Sequence, residues 1–254
     1  MSEKIQIIKE KFENASIDDI SDLVKFYSED TRKGVITICN RYIKKLEAFK
    51  SEKERIYQMH EYEREYANYV YICGIDEAGR GPLAGPVVAG AVILPKNDDI
   101  LYLNDSKQLS AAKRDELFDE IKNKAISYGV GIVSHERIDE INILNATYEA
   151  MKIAISQLSN KPDILLNDAV TIPNIDIEQV PIIKGDAKSA SIAAASIIAK
   201  VTRDRIMEDY DKVYPEYGFA KHKGYGSKEH IEAIKKHGAC DIHRKTFIKN
   251  FVTD

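Results

Sequence analysis

The sequence lacks the features of secreted, disulfide-rich and membrane proteins. Its 254 residues include three cysteines, Cys39, Cys73 and Cys240, with no close pair that would indicate a disulfide framework. No apolar run approaches the roughly 20 residues that a membrane-spanning helix needs. The stretch MSEKIQIIKE at the start carries charges throughout, so no secretory signal is visible. These absences predict a cytoplasmic protein without a membrane partner.

The chain also lacks a strong excess of charge of either sign. Its formal net charge is −4, with 31% charged and 44% hydrophobic residues, as in ordinary globular proteins. A weakly acidic balance does not exclude a nucleic-acid partner, because a local basic surface can bind phosphate and clustered acids can hold cations. The length fits one large domain, or one domain with an appendage.

Proline is absent from residues 1 to 68, and Gly34 is the one glycine there. Ser16, with Asp19 three positions later, predicts a helix start. From Asp30 to Tyr66, apolar residues recur at helical spacing between Lys, Glu and Arg, which indicates one long amphipathic helix or two in sequence. We interpret this region as a solvated helical appendage rather than a dedicated partner-binding arm.

The remaining sequence alternates between predicted strands and helices. A helix of 137–158 is expected to turn Ile141, Leu144, Tyr148, Met151 and Ile155 inward. Two early strands joined by a short loop, followed by strands alternating with helices, predict an α/β fold with a mixed sheet. The predicted strands are 69–76, 86–94, 126–134, 162–168 and 180–186. The other predicted helices run from Ser110 to about Lys124, from about Ser189 to Asp211, and from Ser227 to Gly238.

Carboxylates end three of these strands. Asp76, Asp168 and Asp186 are the strand-end residues, and Glu77 follows the first. Active sites of open α/β sheets gather at strand ends, so these acids could meet at one place. Such a cluster would repel itself unless cations held it, and an all-oxygen set suits Mg²⁺ or Mn²⁺. Asp76 and Glu77 would point to opposite faces of a regular strand, so both serve one site only if the chain leaves strand geometry at Glu77. Any one strand-end Asp, taken alone, is more often a solvated turn residue.

Four blocks of this sequence resemble the signature of bacterial ribonuclease HII, the type-2 ribonuclease H family. They are GIDEAGRGPLAGPVVAGAVIL, NDSKQLS, KGDAKSASIAAASIIAKVTRDR and HKGYGSKEH, and the similarity extends from about Tyr69 to Phe247. The resemblance implies a ribonuclease-H-like mixed five-stranded sheet flanked by helices, within a catalytic domain of residues 69–254 that follows a helical N-terminal extension of residues 1–68. It implies an endonuclease that cuts the RNA strand of RNA–DNA hybrids and DNA duplexes with embedded ribonucleotides.

The family's four acids correspond to Asp76, Glu77, Asp168 and Asp186, which the resemblance makes catalytic ligands of two Mg²⁺ or Mn²⁺ ions. Hydrolysis on the 5′ side of a ribonucleotide would leave 5′-phosphate and 3′-hydroxyl ends. Asn167 departs slightly from the small or apolar residue that usually precedes the third acid. Asp204 competes with Asp186 for the fourth place, although the family pattern favours Asp186.

The resemblance also assigns substrate contacts. The Gly79–Arg80–Gly81 loop would approach the sugar and sense its 2′-hydroxyl, because glycine backbones allow close contact. Tyr225 would stack on a neighbouring sugar. Lys107, Lys188 and Ser191 would contact phosphates. We expect the protein to act as a monomer.

Three alternatives stay open at this point. The sister family ribonuclease HIII has a similar acid pattern, but it usually carries a glycine–lysine–glycine loop and a β-rich N-terminal domain. A zinc-containing nucleic-acid-binding module is suggested by His237, Cys240 and His243 at three-residue spacing, with His222 and His230 upstream. However, this sequence lacks the paired cysteines of such modules. A catalytically inactive hybrid-binding scaffold is disfavoured because all four acids are present.

Overall fold

A computed structural model of the chain describes residues 3–96 and 98–251. They divide into two units, Met1–Gln58 and Met59–Asp254. The first unit contains helices α1 (Ile5–Asn14), α2 (Ile17–Phe26) and nearly all of α3 (Lys33–Met59). The helix start predicted at Ser16 is confirmed, since the Ser16 hydroxyl accepts a hydrogen bond from the Asp19 N–H at 3.2 Å.

The first unit has its own apolar core. Helix α1 contributes Ile8 and Phe12, both essentially inaccessible to solvent, because these positions lie one helical turn apart on the same face. Phe12 packs against Tyr42 of α3 with ring centroids 4.8 Å apart. Ile20 of α2 belongs to the same core. The predicted amphipathic pattern therefore buries one stripe of each helix and leaves the charged residues in solvent.

The second unit is built on the predicted mixed sheet. Its strand order is β3-β2-β1-β4-β5. The β1–β2 and β2–β3 pairs are antiparallel, and β1–β4 and β4–β5 are parallel, which confirms both the early hairpin and the five-stranded mixed sheet. The strands are β1 (Ile72–Ala78), β2 (Val87–Ile93), β3 (Ser127–Val133), β4 (Ile164–Asp168) and β5 (Glu178–Ile182).

Helices flank this sheet. Two of the predicted helix starts are confirmed: Ser110 and Ser227 each accept a hydrogen bond from a backbone N–H of the first turn that follows. Two short 3₁₀ turns, Gly185–Ala187 and Pro215–Tyr217, complete the unit. The helices are α4 (Glu61–Glu65), α5 (Ala111–Lys124), α6 (His135–Ser156), α7 (Ala190–Val213), α8 (Phe219–His222), α9 (Lys228–His237) and α10 (Lys245–Ile248).

The two long helices α6 and α7 cover opposite faces of the sheet. Strand alternation sends Cys73 and Ile75 toward the core that contains Ala150 and Met151 of α6. Gly74, between them, faces α7, where a Cβ would lie 2.1 Å from the Ser191 carbonyl carbon. Asp76 has the same parity as Gly74, so the strand places its carboxylate on the α7 side.

The predicted inward face of 137–158 is partly wrong. Helix α6 is interrupted at Asn142, whose φ of 66° and ψ of 164° are not helical. The break shifts the phase of the apolar residues, so Leu144 is 42% exposed, whereas Met151 is buried as expected. Small residues do most of the packing instead, with Ala146, Ala150 and Ala154 fully buried. Alanine on this face allows the helix to lie close to the strands.

Among the helices of residues 3–96 and 98–251, none combines the length and the apolar composition required to cross a bilayer.

Candidate metal centre and adjoining cleft

Three of the predicted acids meet at one edge of the sheet. Strands β1 and β4 are parallel neighbours, with Ile75 opposite Asn167, so the residues that follow, Asp76 and Asp168, lie side by side. Asp186 joins them, and one carboxylate oxygen from each of the three lies within 4.8 Å of the others. We call Asp76, Asp168 and Asp186 the acidic triad. It is the one group of this kind among the residues that the structure describes.

Asp186 reaches the triad by a different route from the one predicted. Strand β5 ends at Ile182, so the prediction that Asp186 ends this strand is wrong. Asp186 lies instead in the 3₁₀ turn Gly185–Ala187, which follows Lys184 in a left-handed conformation with φ 58°. The Gly185 N–H donates to Asp168 Oδ1 at 2.7 Å. Asp168 therefore fixes the turn that carries its neighbour in the triad.

Asn167 departs from the family pattern without disturbing Asp168. It is fully buried, and its side-chain amide donates to Gln179 Oε1 at 2.8 Å. Gln179 also bonds the backbone N–H and carbonyl of Ile172. Gln179 on the adjacent strand β5 thus satisfies the Asn167 donor, whereas the buried Asn167 Oδ1 has no hydrogen-bond partner among the described residues.

The triad is electrostatically strained. Burial raises the pKa of Asp76 well above its ordinary value, and the nearby charges of Glu77 and Asp168 raise it further. Burial also raises the pKa of Asp186, with added repulsion from Asp105 and Asp168, while Lys107 acts in the opposite direction. Three carboxylates this close together, two of them buried, need positive charge to become fully ionised. All its donors are oxygen, which fits Mg²⁺ or Mn²⁺ and not a sulfur-preferring metal.

Glu77 lies beside the triad but outside it. Strand β1 continues through Ala78, with Asp76 opposite Gly90 and Glu77 opposite Ala89, so strand geometry is kept at Glu77. Glu77 nevertheless lines one cleft with Lys107 and Lys200, and its Oε1 is 3.5 Å from Arg80 Nη1. Burial raises the pKa of Glu77, and Arg80 partly offsets this effect. The role of Glu77 as a metal ligand stays a prediction.

Asp204, the competitor for the fourth acid, is engaged elsewhere. Its Oδ1 is 2.5 Å from Lys200 Nζ, and its Oδ2 is 3.9 Å from Arg114 Nη2. These contacts are ion pairs within and beside α7, which is the environment expected for Asp204 if Asp186 holds the fourth place. The geometry favours Asp186, the acid that lies in the triad.

A cleft of about 190 Å³ adjoins the triad and is lined by several of the predicted substrate-binding residues. Arg80 and Gly81 line one side, Tyr225 another, and Lys107 lies between the cleft and Asp186. Sequence reasoning missed Lys200, which also lines this cleft. The available signal was a lysine in an otherwise apolar, alanine-rich part of α7. The full lining is Glu77, Ala78, Gly79, Arg80, Gly81, Ser106, Lys107, Lys200 and Tyr225.

The other two predicted phosphate contacts lie away from this lining. Lys188 is exposed directly after the turn that carries Asp186. Ser191 is 1% exposed, and its hydroxyl donates to Glu63 Oε1 at 2.7 Å. The Ser191 N–H donates to the same oxygen at 3.0 Å. The start of α7 is thus occupied by a carboxylate of this chain.

The segment that carries Tyr225 is held by a chain of histidines. The Tyr225 carbonyl can only accept, so His230 Nδ1 donates to it at 2.9 Å. Neutral His230 then accepts at Nε2 from His243 Nε2, 3.0 Å away. His243 Nδ1 in turn accepts from the Cys240 N–H at 2.9 Å. Three of the residues that raised the zinc alternative, His230, Cys240 and His243, are therefore paired with one another and with backbone groups in a hydrogen-bond relay.

This histidine relay predicts a stability loss in mild acid. Burial lowers the pKa of both His230 and His243 from 6.5 to about 4. Between these values the unfolded chain binds protons that the folded chain does not, so the free energy of unfolding falls as the pH falls. From pH 7 to 5 we expect a loss of about 2 kcal/mol for each imidazole. Urea unfolding at several pH values measures it.

The control for this prediction is a histidine outside the relay. His237→Gln, at an exposed position of α9, should keep the pH slope of the parent protein, whereas His230→Gln should flatten it. Equal slopes for the parent and His230→Gln would contradict the neutral relay.

Comparisons with known proteins agree with this geometry. A family model described as Ribonuclease HII matches residues 73–250, and one described as Ribonuclease HII N-terminal domain matches residues 4–67. The chain is 61% identical over 227 residues to a ribonuclease HII of Lachnoclostridium phytofermentans, covering 89% of each chain. It is 56% identical over 250 residues to that of Clostridioides difficile, covering 98% of each. Among solved structures, the ribonuclease H2 of Pyrococcus horikoshii superposes with a TM-score of 0.60 at 31% identity, over 73% of this chain and all of that one.

Proposed function

The chain belongs to the ribonuclease HII family and is an endoribonuclease, and we propose that it hydrolyses the RNA strand of RNA–DNA hybrids and cuts DNA duplexes on the 5′ side of embedded ribonucleotides. The products would carry 5′-phosphate and 3′-hydroxyl ends. One observation carries this proposal: the acidic triad opens beside a cleft whose lining combines cationic side chains, exposed glycine backbone and an aromatic ring.

Asp76, Asp168 and Asp186 would hold two divalent cations, Mg²⁺ or Mn²⁺, with Glu77 as the fourth acid. When bound, such ions neutralise the triad and activate the attacking and leaving oxygens of a phosphodiester displacement. The protein's own contribution is to hold the carboxylates rigidly. The hydrogen bond from the Gly185 N–H to Asp168 does this for two members at once.

Cationic side chains would bind the phosphates that flank the cut. Lys107, with a side chain that is 74% exposed, and Arg80, at 45%, stand beside the triad and can turn toward a duplex. Lys188 would extend this surface beyond the turn that carries Asp186. Ser191 would contribute only by exchanging Glu63 for a phosphate oxygen. Binding through such contacts weakens with salt, because each neutralised phosphate releases a counterion.

The cleft would distinguish ribose from deoxyribose. Gly81 is exposed, and the closest atom to a Cβ built on it is Tyr225 Cε1 at 4.0 Å, so its backbone stays open to a close sugar contact. Together with Gly79 and Arg80 it would sense the 2′-hydroxyl. Tyr225 is 42% exposed and offers a ring face on which the next sugar can stack.

We further propose that residues 69–254 form the catalytic domain and that residues 1–68 form a helical extension to it. The ranges of the two matching family models support this division. We also propose that the protein is cytoplasmic and that it acts as a monomer. The monomer is supported by the triad and the cleft, whose residues all belong to one chain.

Cleavage of a DNA duplex with a single ribonucleotide tests the function. We expect one cut, on the 5′ side of the ribonucleotide, in Mg²⁺ and in Mn²⁺, and none in EDTA. An all-DNA duplex of the same sequence should react about 10⁴-fold more slowly, because a site built to bind the 2′-hydroxyl rejects a substrate without it. Extension of the upstream product by a DNA polymerase detects the 3′-hydroxyl end.

Two outcomes would overturn this assignment. Cleavage of a hybrid with a continuous RNA strand, together with poor cleavage at a single ribonucleotide, would indicate the specificity associated with ribonuclease HIII. Equal cleavage of the all-DNA duplex would exclude recognition of the 2′-hydroxyl.

A further inference from the structure

Two arginines are buried directly beneath the cleft. Arg203 of α7 is 1% exposed, and Arg244, which precedes α10, is fully buried. Neither Arg203 nor Arg244 forms an ion pair with a carboxylate of residues 3–96 and 98–251, whereas the neighbouring Asp204 pairs with Lys200 and Arg114. Burial lowers their pKa to about 10 and about 9, respectively. Both guanidinium groups therefore stay protonated at neutral pH while surrounded by protein.

Backbone carbonyls satisfy these guanidinium groups. Arg244 donates to Arg80 O at 3.0 Å, to Gly79 O at 2.6 Å, to Gly85 O at 3.0 Å and to Pro86 O at 3.2 Å. Arg203 donates to Pro86 O at 2.9 Å and to Ala84 O at 3.1 Å, both on the chain that leaves the loop. The pair thus holds Gly79 and Arg80 of the Gly79–Gly81 loop and the segment 84–86 that follows it.

Arg203 also holds the segment on the opposite side of the cleft. It donates to Lys223 O at 2.9 Å, two residues before Tyr225. Its guanidinium carbon lies 5.9 Å from the centroid of the Tyr225 ring. Arg203 therefore links the chain that leaves the loop, at Ala84 and Pro86, to the segment that carries Tyr225, while Arg244 bonds Gly79 and Arg80 of the loop itself.

The two glycines of the loop differ in what they accommodate. Gly79 has φ +99°, and a Cβ there would lie 2.1 Å from Arg203 Nε. Its missing side chain leaves room for the buried arginine. Gly81 has no such neighbour and faces the cleft. Arg203 therefore packs against the buried side of the loop at Gly79, and the exposed side at Gly81 stays free for a ligand.

We propose that Arg203 and Arg244 are positioning residues, which set ribonucleotide specificity by fixing the distance between the Gly79–Gly81 loop and the Tyr225 segment. The inference rests on the proposed function, in which these two segments read adjacent sugars. Arginine suits the task because its planar group offers five donors in a fixed fork. Lysine keeps the charge but offers three donors from a single atom, so it cannot reproduce the bonds that each guanidinium makes to three or four separate carbonyls.

Arg244→Lys and Arg203→Lys test the proposal on two substrates. One is the DNA duplex with a single ribonucleotide, and the other is the hybrid with a continuous RNA strand. A single ribonucleotide permits one register, in which both segments must fit together. A continuous RNA strand offers many registers, so it tolerates a displaced loop. We expect each variant to lose at least about tenfold in kcat on the single-ribonucleotide duplex, with KM nearly unchanged, and markedly less on the hybrid.

Met151→Ala is the matched control, because Met151 is buried against the opposite face of the sheet. At a temperature where circular dichroism shows all variants to be folded, Met151→Ala should keep the parental ratio of the cleavage rates on the two substrates, despite reduced thermal stability.

An unchanged ratio of these rates in both arginine variants would overturn the proposal. If Arg244→Lys does not fold, Arg203→Lys decides, since it retains the four bonds of Arg244. Failure of both to fold would show that the pair maintains the fold rather than specificity, and would also count against the proposal. Absence of single-ribonucleotide cleavage by the parent protein would instead refute the proposed function itself.

Discussion

Asp76→Asn should lower kcat for cleavage by at least about 10³-fold while leaving the affinity for an RNA–DNA hybrid nearly unchanged. Asp76 is central to the triad and 4% exposed, so its amide replacement would sit among the same neighbours without the charge that a cation needs. Duplex binding should persist, because Arg80 and Lys107 are untouched. Single-turnover cleavage and a separate binding titration distinguish the two effects.

The same substitution should stabilise the metal-free protein. The pKa of Asp76 is raised above its ordinary 3.8 by burial first and by neighbouring carboxylates second. For an acid with a raised pKa in the folded state, the free energy of unfolding falls as the pH rises above the ordinary value. Asparagine has no such penalty, so its advantage in Tm should grow from pH 4 toward pH 8. Added Mg²⁺ should then raise the Tm of the parent protein more than that of the variant.

Asp209→Asn provides the matched control, because Asp209 lies on α7 with a side chain that is 74% exposed. It should change neither cleavage nor the response of Tm to Mg²⁺. Full activity of Asp76→Asn would refute the assignment of Asp76 to the metal site. An identical Mg²⁺ effect on the Tm of parent and variant would refute the triad as the place where the ion binds.

The sheet and the meeting of the acids could be predicted because their signals are local. A short apolar run that ends in Asp places a carboxylate at a strand end, and parallel neighbours such as β1 and β4 bring two such ends together. Asp186 shows where this reasoning stops. Its position depends on a left-handed Lys184 and on a hydrogen bond from Gly185 to Asp168, 17 positions earlier in the chain. Neither leaves a pattern in the sequence around Asp186.

Other features depend on contacts that are still more distant in sequence. Gly79 and Gly81 look equivalent within the loop, yet Gly79 accommodates Arg203 and Gly81 faces the cleft. The spacing of Cys240 and His243 resembles that of metal ligands, but their actual partners are each other, His230 and backbone groups. A side chain's type and spacing define what it can do, and the residues that pack against it decide which possibility is realised.

Substitution of two strand glycines, Gly131 and Gly90, should cause a large loss of stability. A Cβ on Gly131 would lie 1.8 Å from Ala150 O of α6, and one on Gly90 would lie 2.4 Å from Ala195 O of α7. Both obstacles are helix backbone, so no rotation of a side chain relieves the overlap and a whole helix must move. Each substitution by alanine should lower the free energy of unfolding by about 3 kcal/mol, measured by urea unfolding. Gly81→Ala is the control for stability, since its nearest neighbour is 4.0 Å away.

The two substitutions should differ in their effect on catalysis, because the helices they displace have different duties. Helix α7 carries Lys200 and Arg203 to the cleft, and Gly90 pairs directly with Asp76. Helix α6 covers the other face of the sheet. Folded Gly90→Ala should therefore lose about tenfold or more in kcat, whereas folded Gly131→Ala should keep nearly parental turnover. Equal losses in both variants would show that catalysis follows general stability. A loss confined to Gly90→Ala would show that the close contact between β2 and α7 keeps the cleft aligned with the triad.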